Sequence, residues 1–280
     1  MKRIAGRVAV VTGAGSGIGR ATSLQLAAAG CDIAIVDINA RTIEETAELV
    51  RQTGRRASTH VVDVADPQHM AALPDDVLRA HGRVEILVNN AGVTIASELG
   101  DHSLEDLAWI VGINFWGVVY GCKFFLPHLA QHDEAHIVNV SSIAGLIGLP
   151  MQSSYCATKA AVRAFTQSLA VELFGTSIGV SAVFPGPVRT NVLRSARHAA
   201  DDRIEKLAKL LDRHAPPPSV VAEKILQAVV RNRSHVTVGT LAQLTDWFGR
   251  LSPHIASRVL GWAYARANAT KHASTLSSLK

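Results

Sequence analysis

Residues 7–19 read RVAVVTGAGSGIG, and this stretch constrains the fold more than any other. The run at 7–12 is apolar and β-branched, which predicts a short buried strand. It stops at a glycine-rich turn, and residues 17–30, rich in Ala and Leu and closed by Gly30, predict a helix. Glycines between a strand and a helix let the backbone turn tightly and approach a pyrophosphate. The helix N-terminus then offers unpaired N–H groups and the positive end of its dipole. A glycine-rich loop alone is a weak signal; set between a strand and a helix it is a strong one.

The same alternation runs on. Strands are predicted at 32–37 (DIAIVD), 57–62, 85–89, 136–141, 179–184 and 235–239, with a helix at 40–53 ending at Gly54. Strands that alternate with helices imply βαβ units, a parallel sheet and a doubly wound α/β fold of about seven strands with helices on both faces. No Pro/Gly/Ser-rich linker divides the chain and no internal repeat is present. We expect one dinucleotide-binding and catalytic domain over 1–240, with a helical extension over 241–280.

Composition excludes several classes. The chain has 280 residues, 48% hydrophobic and 18% charged, which is globular rather than disordered. Cys31, Cys122 and Cys156 form no C-x-x-C, and the 12 histidines form no H-E-x-x-H, so no metal site is expected. The three cysteines read as reduced thiols of a cytoplasmic protein. The N-terminal apolar run is too short for a secretory signal, and no stretch reads as a spanning helix. The net charge of +5 is uneven: residues 1–188 carry 13 basic and 17 acidic residues, and residues 189–280 carry 15 and 6. No nucleic-acid motif accompanies this basic last third, so we expect no nucleic-acid partner.

Asp37 closes the second predicted strand, 18 residues after Gly19. A carboxylate there can hydrogen-bond both hydroxyls of an adenosine ribose and repels a 2′-phosphate. Ile38 follows it and Ser16 lies in the glycine loop, and neither is basic. NAD is therefore expected over NADP. Further along, Tyr155 and Lys159 lie four positions apart, on one face of a helix. A phenol ordinarily titrates near pH 10. A neighbouring ammonium favours the phenolate and brings the phenol within reach of neutral-pH proton transfer.

Five motifs stand in order: TGAGSGIG at 12–19, NNAG at 89–92, NVSS at 139–142, Tyr155-x-x-x-Lys159, and Pro185-Gly186. Together they make the chain resemble the short-chain dehydrogenase/reductase family, in its compact single-domain branch, over about residues 5–240. The resemblance implies roles by position. Tyr155 is the acid/base. Ser142, rather than Ser141, hydrogen-bonds the substrate oxygen. Lys159 lowers the tyrosine pKa and holds the nicotinamide ribose. Asn114 supports a proton relay through water to that lysine. Gly13, Ser16, Gly17, Ile18 and Gly19 carry the phosphates, with Asp37 and Ile38 at the ribose. Asp63 and Val64 meet the adenine, and Asn90, Ala91 and Gly92 line the cofactor. Pro185, Gly186, Val188 and Thr190 lie at the nicotinamide end.

The substrate wall is expected from residues flanking these motifs: Val93, Thr94, Ile143, Ala144, Leu149 and Met151. They are uncharged and mostly apolar, which points to a lipophilic secondary alcohol or ketone; the alternative is that they only pack the core. Residues 190–218, amphipathic in pattern, are expected to form a lid. A 3-oxoacyl thioester reductase and a non-catalytic NAD-binding scaffold are the competing functions. The first usually prefers NADP, against Asp37; the second usually loses the tyrosine or lysine, and both are present. The family resemblance implies a homodimer or homotetramer, through helices holding 103–131 and 153–175. For the extension, apolar residues at helical spacing and Arg250, Arg258 and Arg266 leave three readings open: a subunit contact, a cover over the substrate entrance, or peripheral contact with a membrane surface.

Overall fold

The computed structural model describes residues 1, 3–190, 196–197, 209, 213, 215–251 and 253–267. Seven strands form one parallel sheet: β1 (Val8–Thr12), β2 (Asp32–Asp37), β3 (Ala57–Val61), β4 (Ile86–Asn89), β5 (Ala135–Val140), β6 (Ile178–Pro185) and β7 (His235–Val238). Their spatial order is β3-β2-β1-β4-β5-β6-β7. The order reverses direction between β1 and β4, and in open sheets of this kind ligands bind outside the carboxyl ends of the strands at such a point. All seven predicted strands are present, each within two residues of the boundaries read from the sequence.

Helices cover both faces. On one side α1 (Gly17–Ala28), α2 (Ala40–Arg51) and α7 (Pro218–Arg231) bury Leu26, Ile43 and Ile225 against the alternate strand residues Ala9, Val11, Ile33 and Ile35. On the other, α3 (Pro67–His81), α5 (Gly117–Leu129) and α6 (Ser153–Glu172) bury Met70, Phe125 and Val162 against Val8, Val10, Ala34 and Leu87. Successive strand residues point to opposite faces, so a strand covered on both sides must be apolar throughout. Hence Ile33–Val36 are all inaccessible to solvent. Burying each of the Ile and Val side chains among them contributes roughly 1.5–3 kcal/mol.

Between α4 (Leu104–Val111) and α5 lies a π-helical turn, Gly112–Trp116. The continuous helical segment Leu104–Leu129 is long and apolar enough to pass for a membrane span by length and composition, which the sequence reading missed. One side of it lies on the sheet through Val118, Cys122, Phe125 and Leu129. The extension forms two helices, α8 (Thr240–Leu251) and α9 (Pro253–Ala267), with Pro253 at the start of the second. The expected lid at 190–218 falls mostly outside the described residues.

Candidate active site

The carboxyl ends of the strands open into a cleft of about 620 Å³. Its phosphate end is built by the turn after β1. Gly13 has φ +64°, a conformation that glycine adopts at little cost, and a Cβ there would press on Ala91 and Asn90. A Cβ at Gly19 would run into the Gly13 carbonyl and the Asn90 carboxamide, so this glycine lets α1 pack closely on β1. Ser16 caps α1 without a side-chain hydrogen bond, and the first turn holds no acidic residue. Its N–H groups therefore remain available to an anion. Asn90 Nδ2 donates to the Thr12 carbonyl (2.8 Å), which fixes the loop after β4 to the end of β1.

Asp37 is set in place by backbone. The Gly15 N–H donates to its Oδ2 (3.0 Å) and the Asn39 N–H to its Oδ1 (3.1 Å). Gly15 is itself tethered, because Arg20 Nη2 donates to its carbonyl (2.7 Å) while also pairing with Glu45 (2.9 Å). The carboxylate thus lines the cleft beside the glycine turn. A glycine turn with free helix N–H groups and a backbone-held carboxylate beside it fits a dinucleotide.

At the other end, Ser142, Tyr155 and Lys159 converge. Tyr155 and Lys159 rise from α6 four residues apart, with Lys159 Nζ 5.8 Å from the tyrosine ring centroid. Lys159 Nζ donates to the Val140 carbonyl (3.0 Å) and is buried. Burial lowers the Lys159 pKa from 10.5 to about 8. Burial raises the Tyr155 phenol above its ordinary value, and its hydrogen bond with Ser142 pulls the other way. The lowered tyrosine pKa expected from the lysine is therefore not the balance this geometry sets, since desolvation of the phenolate outweighs the rest. Ser142 Oγ also accepts from the Ala144 N–H (3.2 Å). Ser141 is buried and donates to the Lys159 carbonyl (2.8 Å), a structural bond.

Most predicted residues line this one cleft: Gly13, Ser16, Gly17, Ile18, Asp37, Ile38, Asp63, Val64, Asn90, Ala91 and Gly92, then Pro185, Gly186, Val188 and Thr190, and on the substrate side Val93, Thr94, Ile143 and Leu149. Gly19, Asn114, Ala144 and Met151 do not line it. Asn114 sits behind the wall in the π-helical turn. Its Nδ2 donates to the Val93 carbonyl (2.9 Å) and to Thr158 Oγ1 (3.1 Å), and its Oδ1 accepts from the Val93 N–H (2.8 Å). It braces the loop that carries Gly92 and Val93. A Cβ on Gly92 would lie 3.3 Å from both Asn114 Oδ1 and Lys159 Nζ, so the two polar groups share a corner. The sequence reading missed Ile113, Gln152 and Pro187, which also line the cleft. Each adjoins a recognised motif or site residue, and adjacency was the only signal available. Among the described residues no group of three or more His, Cys, Asp or Glu side chains is placed to hold a metal ion.

Comparison with known proteins agrees with this geometry. The chain matches the family model for short chain dehydrogenases over residues 7–201. It is 35% identical over 270 residues to SadH of Mycobacterium tuberculosis, named as an oxidoreductase, covering 95% of each chain. That alignment therefore takes in most of the extension. It is 33% identical over 239 residues to the 3-oxoacyl-[acyl-carrier-protein] reductase FabG of Thermotoga maritima, covering 84% of this chain and 95% of FabG. Among solved structures, a short chain dehydrogenase/reductase of Burkholderia phymatum in complex with NAD superposes with TM-score 0.83 at 30% identity, covering 89% of this chain and 94% of that one.

Proposed function

This chain belongs to the short-chain dehydrogenase/reductase family and is an oxidoreductase, and we propose that it uses NAD to interconvert a lipophilic secondary alcohol and its ketone. One observation carries the reading. A carboxylate fixed by the Gly15 N–H stands at one end of a single cleft, and Ser142, Tyr155 and Lys159 stand at the other. Asp37 favours two free ribose hydroxyls over a 2′-phosphate, and the Burkholderia phymatum relative binds NAD.

Bound NAD supplies the hydride acceptor or donor. The protein manages one proton and one geometry. Ser142 holds the substrate oxygen beside Tyr155. In oxidation Tyr155 takes the hydroxyl proton, and in reduction it returns a proton to the carbonyl oxygen. With its pKa raised by burial, Tyr155 rests as a phenol at neutral pH, the form that donates. The Lys159 cation favours the phenolate that oxidation needs. Asn114, by bracing Val93, keeps the substrate wall in register with this pair.

The wall supports this substrate class. Among the described residues at that end, Val93, Ile143 and Leu149 are apolar and Lys159 is the one charged side chain. The test is turnover of NAD with secondary alcohols of rising size and lipophilicity. Rates that rise along this series with NAD, and not with NADP, support the proposal; turnover confined to small acids or sugars would contradict it. A second reading, a 3-oxoacyl thioester reductase, draws on the FabG relative. NADPH-dependent reduction of a 3-oxoacyl thioester would favour it over the first.

We place the protein in the cytoplasm, where its three buried free thiols stay reduced. We place its self-association on the segment from α4 to α6, where Leu104, Trp116 and Val171 stand exposed.

A further inference from the structure

The extension is built inside out. On α8 the side chains turned toward the protein include the small residues Ala242 and Thr245, both buried. The large apolar ones face solvent: Leu241, Leu244, Trp247 and Phe248 are 53–58% exposed. On α9, Val259 and Trp262 are 59% and 63% exposed, three residues apart on one helix face. A surface helix normally does the reverse, apolar inward and polar outward. An apolar outer face of this size marks contact with something else.

Charge says what that something is. Residues 241–280 carry five basic residues against one acid, Asp246, and Asp246 pairs with His235 (2.9 Å). The Arg266 guanidinium lies 5.2 Å from the Trp262 ring centroid, and Arg258 is exposed beside Val259. Aromatic rings with arginines at their edge suit the boundary between acyl chains and headgroups: the rings enter, and the arginines reach the phosphates. A second copy of this chain fits less well. A two-fold contact sets a patch against itself, and here it would bring the arginines together.

Placement ties this face to the cleft. A Cβ on Gly249 of α8 would lie 3.5 Å from the Leu146 carbonyl, in the turn that follows Ser142. On α9, Tyr264 OH donates to Glu98 Oε1 (2.7 Å), in the loop that follows Gly92 and Val93. The two helices thus contact both loops that border the substrate end.

We propose that the outer faces of α8 and α9 dock the protein on an anionic lipid surface, with the substrate end of the cleft beside the bilayer. The docking stands on the surface alone. Its consequence, that a lipophilic substrate enters from the bilayer, rests on the proposed oxidoreductase activity.

The experiment is flotation of the full chain with vesicles of phosphatidylcholine alone and of phosphatidylcholine with phosphatidylglycerol. Flotation should require the anionic lipid and weaken with salt. Trp247→Glu with Trp262→Glu should cut bound protein by at least about tenfold, as should Arg258→Glu with Arg266→Glu, which leaves the apolar face intact. Thermal melts of each variant show that it is folded, and its turnover on a soluble secondary alcohol should match wild type. Because flotation reads binding without turnover, an inactive protein that floats upholds docking and sinks the activity instead. No flotation with anionic vesicles would overturn the proposal. So would flotation unchanged in both variants, or a halved solution mass in the tryptophan variant without loss of flotation, which would assign the face to a second copy.

Discussion

Tyr155 holds the proton on which the chemistry turns, and its surroundings pull that proton two ways. Burial holds it on and the bond with Ser142 loosens it. Reduction uses the phenol and oxidation the phenolate, so the two directions should differ in pH dependence. Reduction should hold level through neutral pH and fall only in the alkaline range; oxidation should climb from neutral upward. Initial rates in both directions across pH check this, and coincident profiles would contradict it. Asp37 gives a second prediction. Asp37→Ser removes the carboxylate and frees the Gly15 N–H, so KM for NAD should rise by about tenfold or more and the preference over NADP should narrow. Tyr155, Lys159 and Asp37 were legible in the sequence because their chemistry depends on spacing along one element or on the end of one strand. Asn114 was legible as a position worth naming, but the hydrogen bonds by which it braces the Val93 loop were not. Its partners Val93 and Thr158 lie 21 and 44 positions away, and only the folded chain brings them together.

The elements were legible for a simple reason. Strands buried on both faces must be apolar runs, and DIAIVD or VAVVT has no other easy reading. The π-helical turn left no such signature, because Gly112–Trp116 has the composition of an ordinary helix. Its neighbour α5 packs closely on the sheet through a glycine. A Cβ at Gly121 would collide with the Asn89 carboxamide, whose Nδ2 donates to Asn139 Oδ1 (2.8 Å). Asn139 Nδ2 in turn donates to Thr166 Oγ1 (3.0 Å) on α6. Gly121→Ala should therefore cost about 1–3 kcal/mol by forcing this buried network apart, read as a lower Tm in thermal melts. An unchanged Tm would show that α5 has room to move. The extension shows the opposite limit of sequence. Its helical spacing was readable, but which face turns inward depends on the loops it meets, at Leu146 and Glu98.

For the molecule as a whole, the sheet order gathers the motifs at the carboxyl ends of the strands, although they spread from residue 12 to residue 186. The alternation of strands and helices conveyed this, since parallel crossovers bring all carboxyl ends to the same side. Two buried groups carry that architecture into pH dependence. Lys159 titrates at 10.5 in the unfolded chain and at about 8 in the folded one. The folded state binds fewer protons between these values, so stability rises with pH through that window, by up to about 3 kcal/mol. Lys159→Met should lose this rise, and Tm measured at pH 8 and 10 for both proteins checks it. His136 is the acid counterpart. Ser181 Oγ donates to the Arg233 carbonyl (2.6 Å), so it accepts from His136 Nε2 (2.7 Å), and burial lowers that imidazole from 6.5 to about 3. Its contribution is present above 6.5 and is lost as pH falls toward 3. His136→Gln should flatten the decline of Tm with acid. The central claim, however, is that Tyr155 moves the substrate proton in an NAD-dependent reaction. The direct measurement compares wild type with Tyr155→Phe for NAD binding and for turnover of a lipophilic secondary alcohol. The account predicts NAD affinity within about twofold of wild type and kcat lower by about 10²–10⁴-fold. A Phe variant that turns over at the wild-type rate would contradict it.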